Sequence, residues 1–241
     1  MSEPFLLRYM QPLLAGRRAE CFGLVADAIA RATPTEELLC DVVWPAMIQI
    51  QRLYDDDRIN SAIEHMACRI NRTVADQLQA HLPKKHSRGQ RVLVACADTE
   101  GEELGGQLIA DLFQSDGWEV YFVGGGVPDD ENVAMLGQLR PQLFVIFGAR
   151  PEAVANTRAM IERIREIGMC PTMNIMVTGG IFNRADGLWQ EVGADAFNPT
   201  PREVLELANT LGPREPHAPR LGIVKKRRRR RKTATPAPVP A

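Results

Sequence analysis

The sequence predicts an α/β protein, a five-stranded parallel sheet preceded by a four-helix bundle. Three observations carry this. Residues 1 to 82 show helical periodicity only. From Arg91 onward, short apolar runs alternate with amphipathic stretches, five strands separated by helices. Within that half, RVLVACADTEGEELGGQLIADLFQSDGWEVYFVGGGVP (91 to 128) is a complete β-α-β unit.

Phe5 to Leu14 reads as a weak helix. Arg17 to Arg31 follows as an Ala-rich amphipathic run with Cys21, Leu24, Val25, Ala28 and Ile29 on one side. Thr33-Pro34-Thr35-Glu36 is a helix start, with a capping residue, a proline and then acids. That helix runs from about Thr35 to Tyr54 and ends at Asp55-Asp56-Asp57. A further helix covers Ile59 to about Leu82, carrying Ile63, Met66, Ile70, Val74 and Leu78. These four make a bundle over residues 1–82, and residues 83–90 (PKKHSRGQ) form a polar linker.

Val92 to Ala97 is a bounded apolar run of the kind a buried parallel strand needs. A loop of small and acidic residues, Asp98 to Gly106, leads to a helix near Gly105 to Ser115. Trp118 to Val123 is the second strand, and Gly124-Gly125-Gly126 turns the chain. Helices near 129–139, 151–167, 184–192 and 202–211 alternate with strands at 143–148, 174–178 and 195–198. Order 2-1-3-4-5 is the expected solution, with the α/β domain spanning residues 91–212. Prolines 213, 216, 219, 236, 238 and 240 exclude packed elements over 213–241, which reads as a disordered tail.

Composition is ordinary, 45% hydrophobic and 24% charged among 241 residues, with no apolar run long enough to span a membrane. The N-terminus lacks a charged–apolar–cleavage layout, so no signal peptide is expected. Five scattered cysteines without a CxxC pair argue against disulfides and structural zinc and fit a cytoplasmic protein. The net charge is −1, yet Lys225, Lys226, Arg227, Arg228, Arg229, Arg230, Arg231 and Lys232 supply eight adjacent positive charges, leaving a body of net −9. Such a run attracts phosphate backbones or acidic protein surfaces without sequence choice. A transcription-factor partner and an oligomeric form stay open.

Several motifs together resemble the cobalamin-binding module of methionine synthase, corrinoid methyl-carrier proteins and cobalamin-dependent photoreceptor repressors. Tyr54 is followed ten and eleven residues later by Glu64 and His65, where the family has an aromatic residue and then Glu-His covering the upper corrin face. WPAMIQIQRLY matches the family's helix, GWEVYFVGGGVP its second strand and turn, and GADAFNPTPREVLELA its closing strand and helix. Val177-Thr178-Gly179-Gly180 matches the glycine pair that admits the cobalamin nucleotide tail. The resemblance implies a flavodoxin-like sheet under a helical cap. It implies a site built from Tyr54, Glu64, His65, Gly105, Gly124, Gly125, Gly148, Arg150, Gly179 and Gly180.

Two positions depart from the family. Its first loop reads Asp/Glu-x-His-x-x-Gly, the His binding cobalt from below. Here the metal-binding position falls on Glu102, or on Glu100 in the other register, and neither is His. A carboxylate is a poorer partner for cobalt(III) than neutral imidazole. The small hydroxyl pattern after the third strand is replaced by Gly148-Ala149-Arg150.

The expectation from these residues is a tetrapyrrole sensor or regulator holding a corrinoid without a lower His, with haem or bilin as alternatives. His65 is the candidate metal ligand from the helical side. The other readings are a corrinoid methyl carrier of a methyltransferase system and a scaffold that binds nothing. No nucleophile–base pair has usable spacing, so no catalysis is expected.

Overall fold

The helical periodicity of the first third forms α1 (Ser2–Leu14), α2 (Arg18–Ala30), α3 (Thr35–Leu38), α4 (Trp44–Asp55) and α5 (Ser61–Gln79). They are seen in a computed structural model describing residues 2–97 and 103–215. The helix expected over 35–54 is interrupted, because Leu39–Val43 widens into a π-helical turn. Pro45 gives the reason: it has no N–H to donate, and its ring would strike a carbonyl one turn back in a regular helix. The Val43 carbonyl in this turn accepts from Asn71 Nδ2 at 3.0 Å, and Asn71 Oδ1 accepts from the Tyr9 hydroxyl at 3.1 Å. Tyr9, Val43 and Asn71 are fully buried, so this polar chain ties α1 and α5 to the widened turn inside an otherwise apolar bundle.

The linker is anchored along its length. Lys85 N donates to Ser115 O and Arg88 N to Gly117 O, while the buried Asp116 carboxylate takes Lys85 Nζ and Arg88 Nη2, both at 2.7 Å. Burial alone would raise the Asp116 pKa. Hydrogen bonds from Lys85 and Asn209 and the charges of Lys85 and Arg88 outweigh it and hold the carboxyl below its ordinary range.

The second part alternates as expected: β1 (Arg91–Cys96), α6 (Glu103–Ser115), β2 (Glu119–Gly124), α7 (Asp129–Leu139), β3 (Leu143–Phe147), α8 (Glu152–Ile167), β4 (Asn174–Thr178), α9 (Leu188–Glu191), β5 (Ala196–Phe197) and α10 (Pro201–Thr210). The sheet is all parallel in the order β2-β1-β3-β4-β5. Alternate residues of the central strands divide between two cores. Val92, Val94, Val145 and Phe147 face α6, α10 and the helical bundle, whose apolar residues join the same cluster. Leu93, Ala95, Phe144 and Ile146 face α7 and α8. The bundle and the sheet thus share one hydrophobic core.

Two expectations change. The helix over 184–192 shrinks to α9, because residues 181–187 form turns and Gly187 holds a left-handed φ of 80°. The tail expected to begin at Pro213 is docked through Arg214, whose N donates to Thr172 O and whose Nε meets Asp195 Oδ1 at 2.7 Å. Residues 216–241, with the basic run Lys225–Lys232, lie outside the described residues. So do Glu100 and Glu102.

Candidate functional site

Ligands of open α/β sheets lie beyond the carboxyl ends of the strands, where the chain after β3 and the chain after β4 meet here at Gly148 and Gly179. The helical domain is fastened over that end. Arg72 on α5 meets Glu103 at the start of α6 at 3.5 Å, and Glu103 Oε1 accepts from Gly125 N at 3.2 Å. Arg184, on the loop after Gly180, meets Asp55 at the end of α4 at 3.3 Å. Between the two, the Trp44 and Phe147 rings make an edge contact at 6.0 Å between centroids. Along the seam Gln79 donates to Asp111 at 2.8 Å and Gln107 to Asp76 at 2.7 Å.

Tyr54, Glu64 and His65 lie near the ends of two successive helices. Tyr54 is at the end of α4, while Glu64 and His65 lie in the first turn of α5, started by Asn60 accepting from Ile63 N at 3.0 Å. Tyr54 is 41% exposed and the His65 side chain 72% exposed, so both project from the bundle. Glu64 is held between its neighbours: its Oε2 lies 3.4 Å from His65 Nε2, and its Oε1 accepts from Cys68 Sγ at 3.3 Å. Burial, with the Glu64 charge adding to it, pushes the Cys68 thiol up to about 12, so this sulfur stays protonated.

The glycines divide by what surrounds them. At Gly179 (φ 110°) a Cβ would lie 2.1 Å from Gly148 O, so the β3 and β4 ends require this glycine for their own packing, with or without a ligand. Gly180 is exposed, and a Cβ there would have Ala149 O as its nearest neighbour at 3.9 Å. Gly124 (φ 71°) gives way to the Glu103 carboxylate. Arg150 is an exposed residue at the approach to α8.

Sequence reasoning did not single out Arg72, Arg184, Trp44 or Phe147. Their partners lie 31 to 129 residues away, and no local pattern marks them. Among the described residues no group of three His, Cys, Asp or Glu side chains is arranged to hold a metal ion, and no helix is long and apolar enough to cross a membrane. A separate groove of about 710 Å³, lined by Trp118, Arg140, Gln142, Cys170 and Asn174, opens at the amino ends of the strands, away from this site.

The family model for the B12 binding domain matches residues 8–79, the helical part that carries the trio. The dimethylamine corrinoid protein 3 of Methanosarcina acetivorans is 23% identical over 192 residues, 78% of this chain and 89% of that protein. The helical part thus matches the B12 binding domain, and the chain as a whole is similar to corrinoid proteins. Dimethylamine corrinoid protein 1 of Methanosarcina mazei is 24% identical over 137 residues, 56% of this chain and 62% of that protein. The chain's fold is also that of the Methanosarcina barkeri monomethylamine corrinoid protein, with a TM-score of 0.77 at 15% identity over 86% of this chain and 98% of that one.

The residues present fit a corrinoid in part. Tyr54 and His65 on the helical domain and Gly180 after β4 are all exposed. The interior beneath them is filled by the chain's own side chains.

Proposed function

We propose that the protein binds a corrinoid between the helical domain and the carboxyl ends of the strands, and that it serves as a corrinoid carrier for a partner enzyme. The observation that supports this is the span of the likeness to a dimethylamine corrinoid protein, which runs through both parts of the chain and most of the relative's length. Tyr54 and His65 would cover one face of the ring, with Glu64 orienting the imidazole. Arg184–Asp55 and Arg72–Glu103 would frame its edges. A bound corrinoid supplies a cobalt centre able to accept and release a one-carbon group. The chain's own task is to hold the ring, limit water on the covered face and present it to a partner methyltransferase. Nothing in the relatives favours haem or bilin.

A sensor is the second reading, and one feature supports it: the loop 98–103 offers acids where the corrinoid-binding family carries its lower His. A protein that does not set cobalt reactivity through that ligand is better suited to reporting a bound corrinoid than to turning it over. The basic run Lys225–Lys232 would then contact nucleic acid or an acidic partner.

Titration of the purified protein with hydroxocobalamin, followed by absorbance and equilibrium dialysis, tests the shared premise, with haemin and biliverdin alongside. A perturbed corrinoid band that His65→Ala weakens is expected. Unchanged corrinoid spectra and no retained corrinoid would sink both readings.

A further inference from the structure

On one side the sheet ends in β2, which among the described residues has β1 as its one neighbouring strand. In a parallel ladder the N–H and C=O of a residue point to the same side, and the side alternates along the strand. Glu119 N donates to Gln90 O at 2.9 Å, so Glu119 and Tyr121 turn toward β1. Val120 and Phe122 therefore turn their N–H and C=O groups outward, and neither N–H meets a partner among the described residues. The register then shifts: Phe122 pairs with Val94 and Gly124 with Ala95, which leaves Val123 as a bulge. The open edge is short, with one regular stretch from Glu119 to Phe122.

Sheet edges are commonly guarded by Lys, Pro or an inward-pointing charge. Val120-Tyr121-Phe122-Val123 carries none of these, and the Phe122 side chain is 37% exposed. The strand's one charge, Glu119, is matched within the chain, by Arg91 Nε at 3.2 Å and by the Tyr121 hydroxyl, which donates to it. Val120 packs against the core shared with the helical bundle, and Tyr121 and Val123 against the core on the other face. Phe122 lies on the Val120 side, its ring against Gly106 of α6.

We propose that β2 pairs antiparallel with β2 of a second copy of this chain, about a two-fold axis through Tyr121, joining two sheets into one. A two-fold axis perpendicular to a sheet keeps each face on its own side, so residues of like orientation stand opposite each other. Centred on Tyr121, it sets Val120 opposite the partner's Phe122, Tyr121 opposite the partner's Tyr121, and Glu119 opposite the partner's Val123. Val120 and Phe122 then exchange both N–H···O bonds across the axis, and every outward group of the regular stretch is used. The exposed Phe122 ring gains a valine beside it, and no like charges meet. A strand of another protein would have to supply this pattern, whereas a second copy carries it by symmetry. Opposed strand directions point the carboxyl ends of the two sheets away from each other. Pairing leaves both open, and the proposal does not rest on the corrinoid reading.

The contact is small, below about 1,200 Å² in total, so a dissociation constant on the order of 10 µM is expected. Sedimentation velocity of the full chain from about 1 to 200 µM tests this, in about 0.5 M salt to screen attraction between the basic run and the acidic body. The wild type should pass from monomer to dimer as concentration rises. Tyr121→Lys sets two cations face to face at the axis and Tyr121→Glu two anions, and each alone should weaken the dimer at least about tenfold. An equimolar mixture of the two should recover a heterodimer, a rescue that a merely damaged fold would not give. Circular dichroism checks that each variant is folded. If either is not, Val120→Pro takes their place: it removes an outward N–H that β1 does not use and should weaken the dimer by a similar factor. A wild-type chain that stays monomeric throughout would overturn the proposal and leave the edge to a strand of another protein. A dimer that Tyr121→Lys or Val120→Pro leaves unchanged, or charge variants that do not recover on mixing, would overturn it as well.

Discussion

Arg184 Nη2 lies 3.3 Å from Asp55 Oδ2, joining the residue after Tyr54 to the loop after Gly180 across 129 positions of sequence. Both side chains are about half exposed, so water and salt screen the pair and its contribution to stability stays below ~1 kcal/mol. Its consequence is register, since it fixes the turn of the helical domain against the loop on which a ligand would rest. Arg184→Ala should therefore lower Tm by only about 2 to 4 °C or less. A much larger loss, read by calorimetry, would mean that the two parts are held together chiefly by this pair and not by their shared apolar core.

Asp111 carries a pH dependence. It is buried in the seam between α5 and α6, accepts from Gln79 at 2.8 Å on one oxygen, and has no partner for the other among the described residues. Burial raises its pKa to about 6, with the hydrogen bond from Gln79 opposing the shift and the Asp76 charge adding to it. The folded chain thus holds this proton more tightly than the unfolded one. The resulting stability is complete below about pH 4 and is lost as pH rises through about 6, a contribution on the order of 2 kcal/mol. Asp111→Asn should flatten this dependence and be at least as stable as the wild type at pH 7.5. Denaturant midpoints for both proteins at pH 5 and pH 7.5 decide it, and an Asn variant that keeps the full dependence would exonerate Asp111.

Local chemistry was enough to find most elements. Val92 to Ala97 is apolar throughout because β1 is buried on both faces, and Thr200 caps α10 by accepting from Glu203 N. The helix over 184–192 was overread. Its apolar spacing is real, but Gly187 adopts a left-handed conformation that a continuous helix does not allow. Tyr54, Glu64 and His65 could be named as candidates because they lie close in sequence, and they stand near the ends of successive helices. Phe147 could not, since a phenylalanine ending a buried strand looks like any core residue until Gly105 is seen to receive its ring. The glycine pair was legible as a motif, but only the geometry separates Gly179, required by backbone packing, from Gly180, which is open.

The buried chain Tyr9–Asn71–Val43 predicts a stability effect far from the site. Tyr9→Phe removes the hydroxyl that donates to Asn71 Oδ1 and leaves that oxygen without a partner in an apolar bundle. An unsatisfied buried acceptor costs about 1 to 3 kcal/mol, whereas a typical net hydrogen bond contributes about 1 kcal/mol. Chemical denaturation should place Tyr9→Phe in the upper part of that range. A change within error would mean that water reaches Asn71 through the widened turn.

Gly179 and Gly180 should behave oppositely although they are adjacent. Gly179→Ala places a methyl 2.1 Å from the Gly148 carbonyl at a φ of 110°, which alanine rarely adopts, so the chain should lose about 2 kcal/mol or more of stability. Gly180→Leu points into open surface, with the nearest atom 3.9 Å from its Cβ, and should unfold within about 0.5 kcal/mol of the wild type. The same leucine would stand beside the strand ends where the ring is proposed to rest, so hydroxocobalamin affinity should fall at least about tenfold while the fold is kept. Measuring Tm and dialysis side by side for both variants separates the two roles. A Gly180→Leu protein that binds hydroxocobalamin as tightly as the wild type would place the ring elsewhere on the molecule.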